Sequence, residues 1–293
     1  MAKKQEYGNE SIKSLKGAER VRKRPAVIFG SDGIEGCEHS IFEIMSNSID
    51  EAREGYGKRI IITKYLDGSV EVQDFGRGIP VDYNKNEGKF NWELLFCEMY
   101  AGGKYDNGGD NYEFSLGLNG LGLCATQYAS EYMDAEIKSG GYKYTLHFEH
   151  GENVGGLVKE EYKKRGDTGT RIKWKPDLKV FTDINIPVEY FEETIKRQAI
   201  VNDGIKFVFK NQISSASFDT KEYCYENGIQ DYVKDIAGDK AFTTPQYWEC
   251  ERAGKDREDL NEYKLKIKAS LCFSLDTQLK EYYHNSSFLE HGG

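Results

Sequence analysis

Residues 43–52 read EIMSNSIDEA, a helical pattern in which polar side chains recur along one line. At 3.6 residues per turn, Glu43, Asn47 and Asp50 lie on one face, whereas apolar residues such as Ile44 lie on another. A polar helix face ordinarily points to solvent. The alternative is that this face presents an acid and an amide to a ligand, and the rest of the chain favours that alternative.

Length and charge limit the kinds of protein that this chain can be. With 293 residues and 38% apolar content, it is long enough for two domains with a core in each. The 49 acidic residues outnumber the 40 basic ones, for a net charge of -9. Such a surface repels phosphate backbones, so a role on DNA would require another chain or segment to hold the DNA.

The cysteines and the apolar runs indicate a soluble, cytoplasmic protein. Six cysteines show no CxxC pairs and no compact framework, a pattern typical of reduced thiols. No apolar run approaches the length of a membrane span, and no apolar segment of a signal peptide follows the first residues. We therefore expect no membrane partner.

The order of predicted elements indicates an α/β protein. A helix near 38–53 is followed by a hairpin turning at 66–68, a long glycine-rich lid over 82–122 and a second hairpin turning at Gly140 and Gly141. A strand (GTRIKWKP), a helix stopped by Gly204 and a strand (IKFVFKNQI) follow. We predict a first domain over 1–213, including an arm over 1–25, then a serine-rich joint and a second domain over 214–293.

Two glycine-containing loops could bind phosphate. Gly117, Gly120 and Gly122 precede a predicted helix, and Gly102 and Gly103 precede Lys104. Backbone N–H groups that no Cβ atom shields can receive phosphate oxygens. Neither GxxxxGK followed by Ser or Thr nor the dinucleotide fingerprint GxGxxG occurs in these loops. A nucleotide site would therefore be of another kind.

Taken in order, these motifs resemble the GHKL ATPase superfamily, which includes type II topoisomerases, heat-shock chaperones, mismatch-repair clamps and histidine kinases. The segments SIKSLKGAERVRKRPAVIFG, EIMSNSIDEA, GRGIP and AGGKY are similar to the ATPase subunits of bacterial DNA gyrase and topoisomerase IV. The resemblance is strong over residues 7–177. It implies the Bergerat fold, an α+β two-layer sandwich whose mixed, mostly antiparallel sheet is covered by helices on one face, followed by part of an α/β transducer domain.

The resemblance assigns roles to single residues. Glu43 matches the general base that activates water, Asn47 matches the Mg²⁺ ligand, and Asp74 matches the acceptor for the adenine amino group. Gly78 would pass beneath the base, and Thr170 would support Asp74 through water. The full set implied to bind ATP is Tyr7, Asn47, Asp50, Asp74, Arg77, Gly78, Ile79, Pro80, Gly102, Gly103, Lys104, Tyr112, Gly117, Leu118, Asn119, Gly120, Leu121, Gly122 and Thr170.

Asp50 resembles an acid that lines the site, although a surface ion pair is an alternative. Some positions depart from the family pattern. Phe75 replaces a small polar residue, Leu116 replaces a glycine, and Asn119 replaces a histidine. The lid that contains Tyr112 is about two residues longer than usual.

The resemblance also implies partners. They are a second copy of the chain, bound when ATP is present through Tyr7 and Ile12 of the arm, and the DNA-cleaving A-type subunit of the complete enzyme. DNA would bind only through regions outside this chain. The alternatives are a topoisomerase IV subunit, a mismatch-repair type of clamp, a nucleotide-gated clamp without useful hydrolysis, and an acidic interaction module without a ligand.

Two further features allow expectations. The basic cluster VRKRP could bind DNA, but the apolar AVIFG that follows favours an arm that packs at the nucleotide site.

The chain ends at FLEHGG, which resembles the middle of the transducer domain, and it lacks a Gln-Thr-Lys triplet. We therefore expect slow hydrolysis, a monomer without ATP and no topoisomerase activity by this chain alone.

Overall fold

Helices and strands follow one another in short runs along the computed structural model, which describes residues 14–102, 115–117, 120–164, 166–255, 257–259 and 262–289. The helices are α1 (Ala18–Arg22), α2 (Pro25–Phe29), α3 (Ile34–Arg53), α4 (Asn91–Cys97), α5 (Gly122–Tyr128), α6 (Val188–Val201) and α7 (Ile229–Ala237). The strands are β1 (Arg59–Lys64), β2 (Val70–Asp74), β3 (Tyr83–Asn84), β4 (Lys89–Phe90), β5 (Ser130–Ser139), β6 (Tyr142–Glu149), β7 (Glu152–Glu161), β8 (Gly169–Pro176), β9 (Lys206–Ser214), β10 (Ser217–Tyr223), β11 (Gln246–Gly254), β12 (Tyr263–Leu271), β13 (Tyr282–His284) and β14 (Ser287–Leu289).

Eight strands form one sheet in the order β10-β9-β1-β2-β8-β5-β6-β7. The pairing of β1 with β9 is parallel, and the other neighbours in this sheet pair antiparallel. The predicted mixed, mostly antiparallel sheet with helices is confirmed. The β1–β2, β5–β6, β6–β7 and β9–β10 pairs are hairpins between strands adjacent in the chain, whereas β2–β8, β5–β8 and the parallel β1–β9 pair join distant segments.

Both predicted hairpin turns are present. The β1–β2 turn has Gly68 at φ 81°, and the β5–β6 turn has Gly140 and Gly141 at φ 60° and 84°. Two consecutive residues with positive φ match the twist of the flanking strands, which is why glycine is favoured there.

The helix that carries the polar line packs on the sheet through its other face. Cys37, Ile41, Ile44, Met45 and Ile49 of α3 are all at most 3% exposed. Burying a side chain of this size contributes about 1.5–3 kcal/mol. The helix begins at Ile34, one turn before its predicted start near residue 38. Packing of the apolar face thus fixes the rotation of α3 about its axis. This rotation places the line of Glu43, Asn47 and Asp50 along the surface of the sheet.

Some elements differ from the predictions. Residues 82–97, predicted as part of a lid, contain the short strands β3 and β4 and the helix α4. The serine-rich stretch SSASFD (214–219), predicted as a joint, contains the end of β9, the hairpin turn and the start of β10. The sheet therefore continues to Tyr223, and the domain boundary near residue 213 stays a prediction. Neither β7 nor α7 was predicted from the sequence.

Arg22 anchors α1 to the start of β5 and to Asp177, which follows β8. Its Nη1 donates to the carbonyls of Tyr128 (2.9 Å) and Ser130 (3.3 Å), and its Nη2 donates to the Asp177 carboxylate. The Asp177 side chain is 5% exposed. This arginine of the VRKRP cluster is thus engaged within the fold rather than available to DNA.

The last described strands form two separate hairpins, β11–β12 and β13–β14. The second hairpin contacts the main body, where Phe288 lies under the guanidinium of Arg197 at 4.1 Å. No helix in the described ranges is long and apolar enough to cross a membrane.

Candidate functional site

A cavity of about 700 Å³ opens between α3, the end of β2 and the start of α5. All the predicted site residues that belong to the described part of the chain line it. They are Glu43, Asn47, Asp50, Asp74, Arg77, Gly78, Ile79, Pro80, Gly102, Gly117, Gly120, Leu121, Gly122 and Thr170. The predicted residues Tyr7, Ile12, Gly103, Lys104, Tyr112, Leu118 and Asn119 lie outside the described residues.

One end of the cavity is built around Asp74. Side chains two residues apart on a strand point to the same side, so Asp74 continues the buried face formed by Val70 and Val72. Its carboxylate accepts hydrogen bonds from Ser48 Oγ (2.9 Å) and from the Thr170 amide (3.0 Å). The Gly76 amide also donates to it, at 3.1 Å.

Burial raises the pKa of Asp74, and these three hydrogen bonds act against that effect. An 8% exposed carboxylate that lines a cavity is a strong hydrogen-bond acceptor for a ligand donor. Thr170 supports Asp74 directly through its backbone amide, and its hydroxyl accepts from the Ile79 amide at 3.2 Å. The water-mediated role expected for that hydroxyl stays a prediction beside this direct backbone contact.

Two glycines at this end are required by close approach of the backbone. A Cβ atom on Gly169 would lie 2.3 Å from the Asp74 carbonyl oxygen. A Cβ atom on Gly78 would lie 2.7 Å from the Lys138 carbonyl oxygen, and both glycines have positive φ. Gly78 is thus needed first for packing against β5.

Arg77 is held at the rim by Glu51. Its Nε and Nη2 donate to the two oxygens of Glu51, both at 2.8 Å, and its backbone amide also donates to this carboxylate. The guanidinium lies over the Tyr56 ring at 3.9 Å. A bidentate pair of this kind orients the planar guanidinium, which then covers one side of the cavity.

The other end of the cavity contains Glu43 and Asn47. The Glu43 carboxylate is 2.9 Å from His39 Nε2. A Cβ atom on Gly122 would lie 2.0 Å from Glu43 Oε2, so the absence of a side chain there makes room for this carboxylate at the start of α5. Five residues of helix separate Glu43 from Ser48, about 7.5 Å along the axis, so the two ends of the cavity are distinct.

Asn47 has the geometry of a single neutral oxygen ligand. Its Nδ2 donates to the Glu43 carbonyl at 3.2 Å, which leaves Oδ1 as the atom that can face a ligand. No cluster of three or more His, Cys, Asp or Glu side chains able to hold a metal occurs among the described residues. Mg²⁺ usually keeps several waters and takes few protein ligands. The Asn47 side chain therefore fits a Mg²⁺ ion that takes few protein ligands.

Asp50 holds a loop of the cavity wall. It accepts from Ser115 Oγ (2.6 Å), the Leu116 amide (2.8 Å) and the Gly117 amide (3.1 Å), and it is 4% exposed. Neither interpretation from the sequence, an acid that lines the site or a surface ion pair, included this contact with the loop.

Three functional candidates were missed in the sequence. His39 could have been found from its spacing of four residues to Glu43, because such pairs meet on one helix face. Ser48 and Glu51 contact Asp74 and Arg77, which lie 26 residues away in both cases. Contacts of that range have no local signal.

Phe75, which departs from the family pattern, is half-buried under the Arg59 guanidinium at 5.8 Å.

Comparisons with known proteins agree with this geometry. The model of a family described as histidine kinase-, DNA gyrase B- and HSP90-like ATPase matches residues 34–180, which is half of the chain. The sequence is 36% identical over 230 residues to the DNA gyrase B protein of Thermotoga maritima, covering 78% of this chain and 35% of that protein. It is 37% identical over 237 residues to the B-type subunit of DNA topoisomerase 4 from Staphylococcus aureus, covering 80% and 34%. The chain thus spans about a third of the length of these relatives.

Solved structures show the same similarity. The 43K ATPase domain of Thermus thermophilus gyrase B, crystallised in complex with an aminocoumarin, matches with a TM-score of 0.73 and 26% identity, covering 94% of this chain and 67% of that one. The topoisomerase IV ATP-binding domain of Francisella tularensis matches with a TM-score of 0.67 at 24% identity, which shows a shared fold.

Proposed function

The chain belongs to the family of histidine kinase-, DNA gyrase B- and HSP90-like ATPases, and from this premise we propose that it binds and hydrolyses ATP in the cavity beside α3. The observation that carries the proposal is the pairing of two different ends in one cavity. A buried carboxylate lies at one end, and a carboxylate with an amide lies at the other.

Asp74 is the proposed base reader, the residue that recognises the adenine base of the nucleotide. A carboxylate accepts from the adenine amino group, whereas guanine presents an oxygen at the same place and would leave two acceptors facing each other. Because an unpaired buried acceptor is costly, this arrangement selects adenine. The Thr170 amide and Ser48 hold the carboxylate in one orientation.

Glu43 is the proposed general base. It orients and deprotonates the water that attacks the terminal phosphate, and His39 steadies its carboxylate from one turn earlier. Asn47 is proposed to hold Mg²⁺, which when bound neutralises charge on the phosphate oxygens. The amides of Gly120, Leu121 and Gly122 are proposed to receive phosphate oxygens.

The role of the complete protein is proposed from its relatives. The gyrase B protein and the corresponding topoisomerase 4 protein are about equally similar to this chain. We therefore infer the ATPase module of a type II DNA topoisomerase, in which nucleotide-driven pairing of two copies closes a gate for strand passage. The A-type subunit and DNA would bind outside this chain, and supercoiling against decatenation by the assembled enzyme would distinguish gyrase from topoisomerase IV.

Calorimetric titration tests the nucleotide proposal directly. Mg²⁺-ATP should bind at least about a hundredfold more tightly than Mg²⁺-GTP, because a buried hydrogen-bonding site rejects a mismatched ligand strongly. Asp74→Asn should reduce this ratio. Equal affinity of the unaltered chain for the two nucleotides would remove Asp74 as the base reader.

A further inference from the structure

The turn of the β13–β14 hairpin lies against the elements that support the nucleotide cavity. Its two central residues are Asn285 and Ser286, and Ser286 is only 4% exposed. A hairpin tip normally projects into solvent. This tip instead lies against α3, α6 and residues 115–117, with Ser286 buried and Asn285 exposed.

The conformation of the turn is unusual for its sequence. Asn285 and Ser286 have φ angles of 43° and 71°, as a two-residue type I′ turn requires. Asparagine tolerates this conformation, but the second position usually carries glycine, and serine is disfavoured there. A disfavoured backbone persists when its surroundings determine it, and such positions often have a function.

The surroundings of Ser286 are polar and come from two helices. Its carbonyl accepts from Gln198 Nε2 of α6 at 2.9 Å. Its hydroxyl accepts from the Arg53 guanidinium of α3, and Arg53 also donates to Asn202 Oδ1 at 2.7 Å. These bonds fix the tip of the hairpin to the main body.

Asn285 contacts the cavity wall itself. Its Nδ2 donates to the Ser115 carbonyl at 3.2 Å. The N–H of the same peptide unit, that of Leu116, donates to Asp50 at 2.8 Å. The two polar groups of a trans peptide point in opposite directions, and the described residues contain no cis peptide. One peptide unit is therefore held from both sides, by α3 and by the hairpin.

We propose that Asn285 is a positioning residue for the phosphate end of the nucleotide site, holding the Ser115–Leu116 peptide against Asp50 and so coupling the β13–β14 hairpin to the loop that begins there. The inference rests on the proposed function for its meaning, because residues 115–117 lead into the glycines assigned to phosphate. Movement of the hairpin would then alter phosphate binding without changing the end of the cavity that contains Asp74.

The variant Asn285→Asp isolates this contact. Aspartate has the same shape, tolerates positive φ and keeps an oxygen near Arg53, but it cannot donate to the Ser115 carbonyl. Asn86→Asp is the matched control, because it makes the same change at an exposed position for which the described residues provide no side-chain hydrogen bond. Ser286→Ala, which removes only the hydroxyl reached by Arg53, is a second variant with the same expected direction.

Amide hydrogen exchange without nucleotide provides the first readout. In Asn285→Asp the amides of Leu116 and Gly117 should exchange about three- to tenfold faster, the usual effect of one lost hydrogen bond. Amides in β6, such as that of Phe148, should be unchanged, which excludes general unfolding. Unchanged exchange at 116 and 117 in both variants would overturn the inference.

Ligand binding provides the second readout. A non-hydrolysable ATP analogue with Mg²⁺ should bind Asn285→Asp about three- to tenfold more weakly, while adenosine should bind as before. Equal weakening of both ligands would show general support of the cavity and overturn the positioning role. If the unaltered chain bound neither ligand, the proposed function would fail, and the exchange data would still decide whether the hairpin holds the loop.

Discussion

Glu43 and Asn47 lie one helical turn apart, yet their chemistry assigns them different proposed tasks. A carboxylate can accept a proton from water, whereas an amide oxygen can only coordinate or accept a hydrogen bond. The contact of Glu43 with His39 and the room left by Gly122 keep its carboxylate at the cavity wall. Loss of either residue should therefore affect a different step.

Glu43→Gln should lower ATP turnover by roughly 10²–10⁴ and change nucleotide affinity little, because a positioned base acts mainly in the transition state. Steady-state phosphate release and calorimetry measure the two quantities. Glu35→Gln, on the same helix but outside the cavity lining, is the control.

The reciprocal variant is Asn47→Ala, which should weaken nucleotide binding in Mg²⁺ and have little effect in its absence. If Glu43→Gln abolished binding while Asn47→Ala left it intact, the two roles would be reversed. If the protein were instead a nucleotide-gated clamp without useful hydrolysis, Glu43→Gln would preserve the full function of the assembled enzyme.

At the scale of elements, the start of β8 determines the base end of the cavity. Gly169 has φ 145°, and its neighbour Thr170 donates to Asp74. The strand can approach the Asp74 backbone because residue 169 has no side chain. The position of the base reader thus depends on the close pairing of two strands.

Gly169→Ala should destabilise the fold by about 2–4 kcal/mol, because the new methyl group meets backbone atoms and the φ angle is unfavourable. Gly141→Ala is the matched control, since it has positive φ but open space around its Cβ position, and it should cost about 1 kcal/mol. Urea denaturation gives both values. Equal effects would show that the close contact at Gly169 is not limiting.

The anchoring of α1 predicts a pH dependence. Burial acts to raise the pKa of Asp177, but hydrogen bonds from Arg22, the Lys179 amide and His150 outweigh it and hold the pKa below its ordinary value of 3.8. A carboxyl whose pKa is lowered by folding stabilises the fold above its unfolded pKa. That contribution is lost as the pH falls below 3.8 and through the folded pKa.

Asp177→Asn should therefore lower the free energy of unfolding by about 3 kcal/mol at pH 7, because the largely buried Arg22 loses its partner. The difference from the unaltered chain should shrink as the pH falls below 3.8. Denaturation at both pH values measures this. Asp276→Asn removes a pair exposed on both sides and should change stability by less than ~1 kcal/mol. A difference independent of pH would contradict the assignment.

At the scale of the whole molecule, the proposed gate requires two copies. A ligand can drive association only when the paired state binds it better than the single state does. The arm residues Tyr7 and Ile12, which lie outside the described residues, are the proposed source of that difference.

Sedimentation should show a monomer without nucleotide and a dimer with a non-hydrolysable ATP analogue, because the dimer binds the nucleotide more tightly than the monomer does. Tyr7→Ala should weaken this dimer and leave nucleotide affinity of the monomer within about threefold. Tyr56→Ala, at the cavity rim, tests whether loss of any nearby tyrosine has the same effect. A stable dimer without nucleotide would contradict the proposed gate.

The sequence by itself determined the local features of this protein. The polar line of Glu43 and Asn47 follows from helical periodicity, and the turns at Gly68 and Gly140 follow from the φ angles that glycine allows. These features depend on neighbours within a few residues, so pattern and turn chemistry are sufficient to predict them. The type of sheet was implied by the resemblance to the family.

Only the tertiary structure decided which distant groups meet. Asp50 holds Ser115 across 65 residues, the Thr170 amide reaches Asp74 across 96, and Arg53 reaches Ser286 across 233. A buried polar group must find a hydrogen-bond partner, but its own sequence neighbourhood does not state which one. The partner is set by tertiary packing, as when the pairing of β2 with β8 brings the Thr170 amide to Asp74.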